Sequence, residues 1–425
     1  MNTEIIIVGA GAAGLMAARE LAKACEKVLI LEARNRIGGR ILPLNESDFG
    51  YPAQGGAEFV HGKAPITKAL MKEAGLTYVP DDGEVWTVRN GEFSLNKGPF
   101  DANGSLKEKL NALTEDIPIF DFLQQNFTAE EDESFKNSII KMVEGYDAAD
   151  PKTISTFTLR DEWLTKSEWD DGRIKEGYGG LLTFLESECK KLGVEIRLNM
   201  RVKSIGGPTT PVSLQTVDGE VFTAQKVVVT VPLPVLKDIE FTSELKSKIE
   251  LASRIGFGTA IKVVIRFKDR WWERTSGMDV SKMSFMLCNE KFMTWWTQYP
   301  EINPVLVGWM AGPETLQYDD SSSDEILDIA LTSLSNVFKI EKDVLIQEVE
   351  VSQVINWQKD PFAMGAYSYT TVHTKDAYEQ LQESVNDTIF FAGEPFYSGD
   401  TAATATVEGA LGSGMETAKK ILTII

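Results

Sequence analysis

"EIIIVGAGAAGLMAARELAKACEKVLILE", residues 4–32, decides the fold. EIIIV (4–8) and KVLILE (27–32) read as continuous apolar strands, with a helical pattern between them reaching to about Cys25. Strands of that kind around a helix indicate a buried parallel sheet. Gly9, Gly11 and Gly14 form G-x-G-x-x-G at the strand-to-helix junction, with Ala13 inside the motif. Gly9 permits the tight turn, Gly11 lets the backbone approach a pyrophosphate, and Gly14 lets the helix pack on the sheet. The N–H groups at the helix start then face the phosphates. Glu32 ends the second strand, where a carboxylate accepts from ribose hydroxyls. An ordinary Gly-rich turn would account for the glycines but not for Glu32.

EARNRIGGRI (32–41) follows at once. Arg34 and Arg40 supply two cations, and Gly38-Gly39 keeps the backbone close to its neighbour. A basic, Gly-opened loop here suits a second contact on the same pyrophosphate. The competing reading is a solvated basic turn.

The bulk composition narrows the function classes. At 425 residues the chain exceeds one compact core and suggests two domains. Its hydrophobic share of 43% and charged share of 25% are those of a globular protein. No apolar run reaches bilayer length, and the start enters a strand pattern without a leader, so the expected location is cytoplasmic. Cys25, Cys189 and Cys288 are odd in number and widely spaced, which argues against a disulfide framework and a zinc site. With only His61 and His373, a histidine-cluster chemistry is nearly excluded, and no metal is expected. A net charge of −20 argues against nucleic acid as a partner and would attract a cationic small substrate. Acidity that merely keeps the protein soluble is the plainer reading.

Further along, a short helix is expected over 65–75. Residues 80–180 look irregular, with an acidic run at 130–133 and several Trp. GYGGLLTFLESECKKLG (177–193) reads as a Gly turn and an amphipathic helix. Period-two segments follow, with Asp218-Gly219 as a hairpin turn. TAIKVVIRF (259–267) and VLVGWMAG (305–312) are strands. SSDEILDIALTSLSNVF (322–338) is a helix with a Ser/Asp start signal. The last helix is expected from about residue 402. A nucleotide-binding pattern therefore opens the chain, β-rich segments interrupt it, and FAGEPFYSGDTAATATVEGALGSG (391–414) closes it.

With these motifs together, the sequence resembles the flavin-containing amine oxidases, the family of monoamine oxidase, polyamine oxidase and the lysine-specific histone demethylase. The matching stretches are GAGAAG, RIGGR, GGAEFVHG (55–62), VVVTVPLPVLK (227–237), FGTAIKVVIRF (257–267), WQKDPFAMGAYSY (357–369) and the closing FAGE segment. They span nearly the whole chain in family order. The resemblance implies an α/β fold: a discontinuous Rossmann-like FAD-binding domain (1–75, 177–240 and 385–425) with an inserted α+β substrate domain (76–176 and 241–384).

The resemblance also implies site residues. Glu394 would contact the ribityl and phosphate part of FAD, and Thr406 and Val407 would lie by its ring, at a helix start that stabilises negative charge on reduced flavin. Gly39, Gly56, Ala57, Glu58 and Val202 would line the cofactor. His61 would stand at the substrate tunnel, although a lone His is as often structural. Lys262 would assist the reaction of reduced flavin with oxygen; strand alternation alone would send it to solvent. Tyr367 would face the flavin and exclude water. Ala366 sits where monoamine oxidases carry the cysteine that bonds flavin, so FAD is expected to be non-covalent. Thr406 replaces a tyrosine of the monoamine oxidase pair, which would open the pocket. Trp357 and Phe362 would supply further walls, or ordinary core packing.

The implied reaction is hydride transfer from the amine α-carbon to flavin, hydrolysis of the imine, and reoxidation by O2 with release of hydrogen peroxide. Primary amine, polyamine and amino acid all stay open as substrates, as does oligomeric state. Rivals are a carotenoid- or protoporphyrinogen-type flavin desaturase, an L-amino-acid oxidase, and a flavin-binding scaffold without turnover.

Overall fold

The computed structural model describes residues 2–24, 26–96, 104–165, 171–275, 277–374, 376–397 and 404–424. Strand Asn2–Val8 pairs in parallel with Val28–Leu31 on one side and Val221–Val229 on the other. The sheet continues through Glu195–Arg197 at one edge and through Val212–Thr216, Val202–Ile205 and Glu240–Phe241 at the other. Val221–Val229 turns back on Val212–Thr216 through the expected Asp218-Gly219 hairpin. Its second half pairs in parallel with Ile389–Phe391. Segments far apart in sequence thus meet beside the first strand.

Alternation along that strand sorts the two faces. Ile5 and Ile7 pack with Leu15, Leu181 and Leu411, under helices Ala12–Lys23, Gly177–Lys191 and Val407–Leu422. Ile6 and Val8 pack on the opposite face with Leu245 and Leu381. The small residues near the end have a packing task here. A Cβ on Gly414 would come within 2.3 Å of the Ala13 carbonyl, and one on Gly412 within 2.5 Å of the Tyr397 ring.

A second sheet of seven strands runs Val349–Asn356, Ala260–Phe267, Val305–Ala311, Thr294–Trp296, Met283–Cys288, Glu84–Arg89 and Glu92–Leu95. Ile261, Val263 and Ile265 face helix Ser323–Phe338. That helix has the expected start: Ser322 Oγ accepts from the Glu325 N–H, and the Glu325 carboxylate accepts from the Ser322 N–H. A three-stranded sheet, Phe59–Val60, Gly172–Ile174 and Tyr78–Pro80, crosses the expected domain boundaries.

Three expectations shift. The stretch 80–180 is not irregular: it carries two strands of the second sheet and helices Ser105–Ala112, Ile119–Asn126, Glu133–Asp147 and Thr156–Thr165. Most of these helices are short, and they are held by a shared core of Leu106, Phe122, Phe127, Val143 and Leu159 rather than by a strong local pattern. The last helix begins at Val407, because Thr406 caps it by accepting from the Gly409 N–H; residues 398–403, with the expected start, lie outside the described residues. The first helix ends at Lys23, and Cys25 also lies outside them. Among the described residues no helix is long and apolar enough to cross a membrane.

Candidate active site

A cavity of about 1000 Å3 runs between the two large sheets. At one end it is walled by the fingerprint turn, including Gly9, Gly11 and Ala13, and by Glu32. Gly14 lies behind this wall, where a Cβ would come within 2.0 Å of the Gly9 carbonyl. Gly9 has a φ of +109°, and a Cβ there would be 2.7 Å from Thr230 Oγ1. At Gly11 a Cβ would meet nothing within 4 Å, so the backbone faces open space. The pattern separates roles: Gly9 and Gly14 shape the turn, and Gly11 leaves room for a ligand. Glu32, 5% exposed, accepts from the Ala10 N–H at 2.7 Å and the Arg34 N–H at 2.9 Å.

The basic loop is more tied than the sequence suggests. Arg34 clasps Asp360 through both guanidinium ends; burial would raise the Asp360 carboxyl, but Arg34 together with the Phe362 and Ala363 N–H groups holds it below its usual range. Arg40 donates to the Ala366 carbonyl at 2.8 Å and to Glu394 at 3.0 Å. Arg36, which the sequence did not single out, donates to the carbonyls of Ile37, Gly39 and Ile41 and so fixes the Gly38-Gly39 turn. Glu394 also accepts from the Ser368 N–H and hydroxyl. Phe362 lies 5.2 Å from the Arg34 guanidinium and 5.7 Å from that of Arg201. It therefore stands at the nucleotide end and not beside His61. Val202 and Thr406 line the cavity, and Val407 does so at the start of the last helix.

Lys262 is 1% exposed. The alternation that places it opposite Ile261 and Val263 sends it to the cavity wall, because side chains on both faces of its strand are buried. Its ammonium donates to Glu58 Oε2 at 2.7 Å and to the Gly56 carbonyl at 3.1 Å, and lies 5.1 Å from the Trp296 ring centre. Glu58 Oε1 accepts from Arg173 Nε at 3.2 Å, and from Trp296 Nε1 and Gln298 Nε2 at 3.1 Å each. Glu58 was expected to line a cofactor; it lines the cavity, but its carboxylate is engaged by four donors. Burial alone would raise its pKa, yet Lys262 and Arg173 together hold it below the usual carboxylate range. Burial pulls Lys262 down and Glu58 opposes it. Gly56 is required by shape, since a Cβ would come within 1.8 Å of the Arg40 carbonyl. Trp357, 3% exposed, packs against Gly56 and donates to the Gly55 carbonyl. Ala57 completes this wall.

At the far end, His61 Nδ1 lies 3.4 Å from Asp171, whose other oxygen accepts from the Gly62 N–H. The His61 ring stands edge-on to Tyr146 at 6.2 Å. Tyr367 lines the cavity and donates to the Tyr146 carbonyl at 2.6 Å. Trp309 donates to the Gly145 carbonyl at 2.7 Å. Sequence reading missed Arg173, Asp171, Tyr146 and Trp309 because no short motif carries them. Cys288, distant from Ala366 in sequence, also reaches the cavity wall; burial pushes its thiol up to about 12, and it donates to the Phe292 carbonyl.

The residues present fit a flavin dinucleotide: an open backbone approach at Gly11, an acid at the second strand end, and a helix start on the opposite wall. The comparisons agree in fold. A putrescine oxidase structure described as bound to putrescine superposes with a TM-score of 0.81 at 19% identity, covering 100% of this chain and 99% of that one. A cyclohexylamine oxidase from Brevibacterium oxydans gives 0.81 at 18%, covering 100% and 99%. Among curated relatives, polyamine oxidase 2 of Arabidopsis thaliana is 27% identical over 98% of this chain and 88% of its own length. Lysine-specific histone demethylase 1 homolog 3 of Arabidopsis thaliana is 24% identical over 99% of this chain, which spans only 30% of that protein. Lysine-specific histone demethylase 2 of Homo sapiens is 26% identical over 99% of this chain and 53% of its own length. Residues 12–422 match the family described as flavin containing amine oxidoreductase. The chain belongs to that family and is an enzyme of the flavin amine oxidoreductase type.

Proposed function

We propose that the protein is an FAD-dependent oxidase of small amines, with a primary amine or a polyamine as substrate, FAD held without a covalent bond, and O2 as acceptor. One observation carries the reading: a single cavity joins a dinucleotide fingerprint, a buried lysine ammonium and an aromatic-lined far end. In this reading the eight-stranded sheet carries the cofactor and the seven-stranded sheet the substrate. Bound FAD supplies a two-electron acceptor, so that amine, water and O2 become carbonyl compound, ammonia or a smaller amine, and hydrogen peroxide. The chain's own residues orient and shield. Gly9, Gly11, Ala13, Glu32 and Arg34 hold the nucleotide, and Arg40, Glu394, Val202, Thr406 and Val407 hold the rest of the cofactor. Tyr367, with its hydroxyl spent on a backbone carbonyl, presents only its ring, which keeps water from the amine. His61, paired with Asp171, stands where the amine enters. Lys262 acts in the oxygen step.

The test is anaerobic mixing with spermine, putrescine, tyramine and several L-amino acids, followed by absorbance. One amine should bleach the yellow protein, and acid should then release intact FAD into the supernatant. The amino-acid arm is included because Arg89 and Lys141 line the cavity and could meet a carboxylate. Failure of every amine to bleach the flavin overturns the reading.

A further inference from the structure

We infer that Glu58 and Arg173 form a positioning couple: Glu58 keeps the Lys262 ammonium charged, and Arg173, by gripping the other carboxylate oxygen, fixes Glu58 so that the ammonium stays aimed at the cavity. The inference rests on the proposed role of Lys262 in the oxygen step. Three observations lead to it. Lys262 is almost wholly buried, and a lone ammonium there would give up its proton. Its hydrogen bonds to Glu58 and the Gly56 carbonyl account for two of three N–H donors, and the group still borders the cavity. Glu58, in turn, is gripped on its other oxygen by Arg173, whose two terminal nitrogens are anchored on the Thr297 and Tyr299 carbonyls.

The couple has a direction. One carboxylate lies between two cations, so removing Glu58 leaves Lys262 facing only Arg173, and removing Arg173 leaves Lys262 with an undivided partner. Among the described residues, the charged groups acting on Lys262 are Glu58 and Arg173. Its neighbours across the sheet are Trp309 and Ile355, and the Tyr51 phenol, itself pushed up by burial and by Glu58, faces the carboxylate. Arg173 comes from the small sheet that crosses the expected domain boundaries, so the couple also fixes Lys262 relative to the loop at Gly56.

The test compares E58Q, R173M, K262M and E58Q/K262M as flavin-loaded full chains. Reoxidation of the reduced enzyme by O2 is followed against pH, and urea unfolding is measured in constant excess FAD. E58Q should move the alkaline limb of reoxidation down by at least one pH unit, and R173M should move it up. General damage to the site would move both the same way. In E58Q the folded protein should give up the Lys262 proton at lower pH than the unfolded chain does, so between those two values the unfolded state binds the extra proton and stability rises with pH. The unfolding constant should fall by up to tenfold per pH unit between about pH 7 and 9, and K262M should abolish that slope. An E58Q slope equal to wild type, or one that persists in E58Q/K262M, overturns the couple. If K262M leaves reoxidation unchanged, the oxygen role fails, yet the unfolding slopes still decide the couple. If E58Q does not fold, the direction of the R173M shift decides it.

Discussion

At the residue scale, the glycines of the fingerprint offer a sharp separation between folding and binding. Gly11 has an ordinary φ of −77°, and a methyl there meets nothing. G11A should therefore keep the wild-type melting temperature without added FAD and lose at least tenfold in FAD affinity, since its Cβ enters the space the pyrophosphate needs. G14A should fail both measurements, because its Cβ collides with the Gly9 carbonyl at 2.0 Å. Equal losses in the two variants would contradict this division. The same scale shows what the sequence could disclose. Gly9 and Glu32 were legible because each sits in a short ordered motif whose geometry is local. Lys262 was singled out only through the family resemblance, since strand alternation alone would have sent it to solvent and its partners Glu58 and Gly56 are distant in sequence. Arg173 and Asp171 were not, since their meaning comes from Glu58 and His61, which lie more than a hundred residues away.

At the element scale, helix Pro65–Ala74 starts without a cap of its own, and the missing acceptor comes from another helix. Glu408, 4% exposed, accepts from the N–H groups of Ile66 and Thr67 and from the Thr67 hydroxyl. This is a borrowed N-cap, and a carboxylate suits the positive end of the helix. E408A should destabilise the protein by about 2 kcal/mol in urea unfolding, with E408Q between it and wild type. Loss of less than a quarter of that would show that water replaces the carboxylate. The sequence located this helix, through Pro65 and Gly75, but not its cap. The helices of 105–165 escaped for a related reason: most are short, and their stability is supplied by one another.

On the scale of the whole molecule, the charge of −20 surrounds a cavity whose far end holds Asp171 and Asp81. Long-range attraction of a cationic substrate is screened by salt. For a diamine, kcat/KM should fall severalfold between about 20 and 300 mM ionic strength while kcat holds, whereas a neutral-pH amino acid should show little change. A flat salt profile with the diamine would assign the acidity to solubility alone. The overall architecture was readable from the order of motifs, since a fingerprint at one end and FAGE at the other require a domain assembled from distant pieces.

That assembly has a consequence for biosynthesis. Ile389–Phe391 completes the pairing of Val221–Val229, and the helix Val407–Leu422 lies on the fingerprint helix with Gly414 against Ala13. A nascent polypeptide still inside the ribosome holds the fingerprint but lacks Glu394, Val407 and the helix that backs the turn. In the proposed reading the coenzyme site is therefore complete only once the last helix is in place, and until then the apolar face that this helix covers is left open.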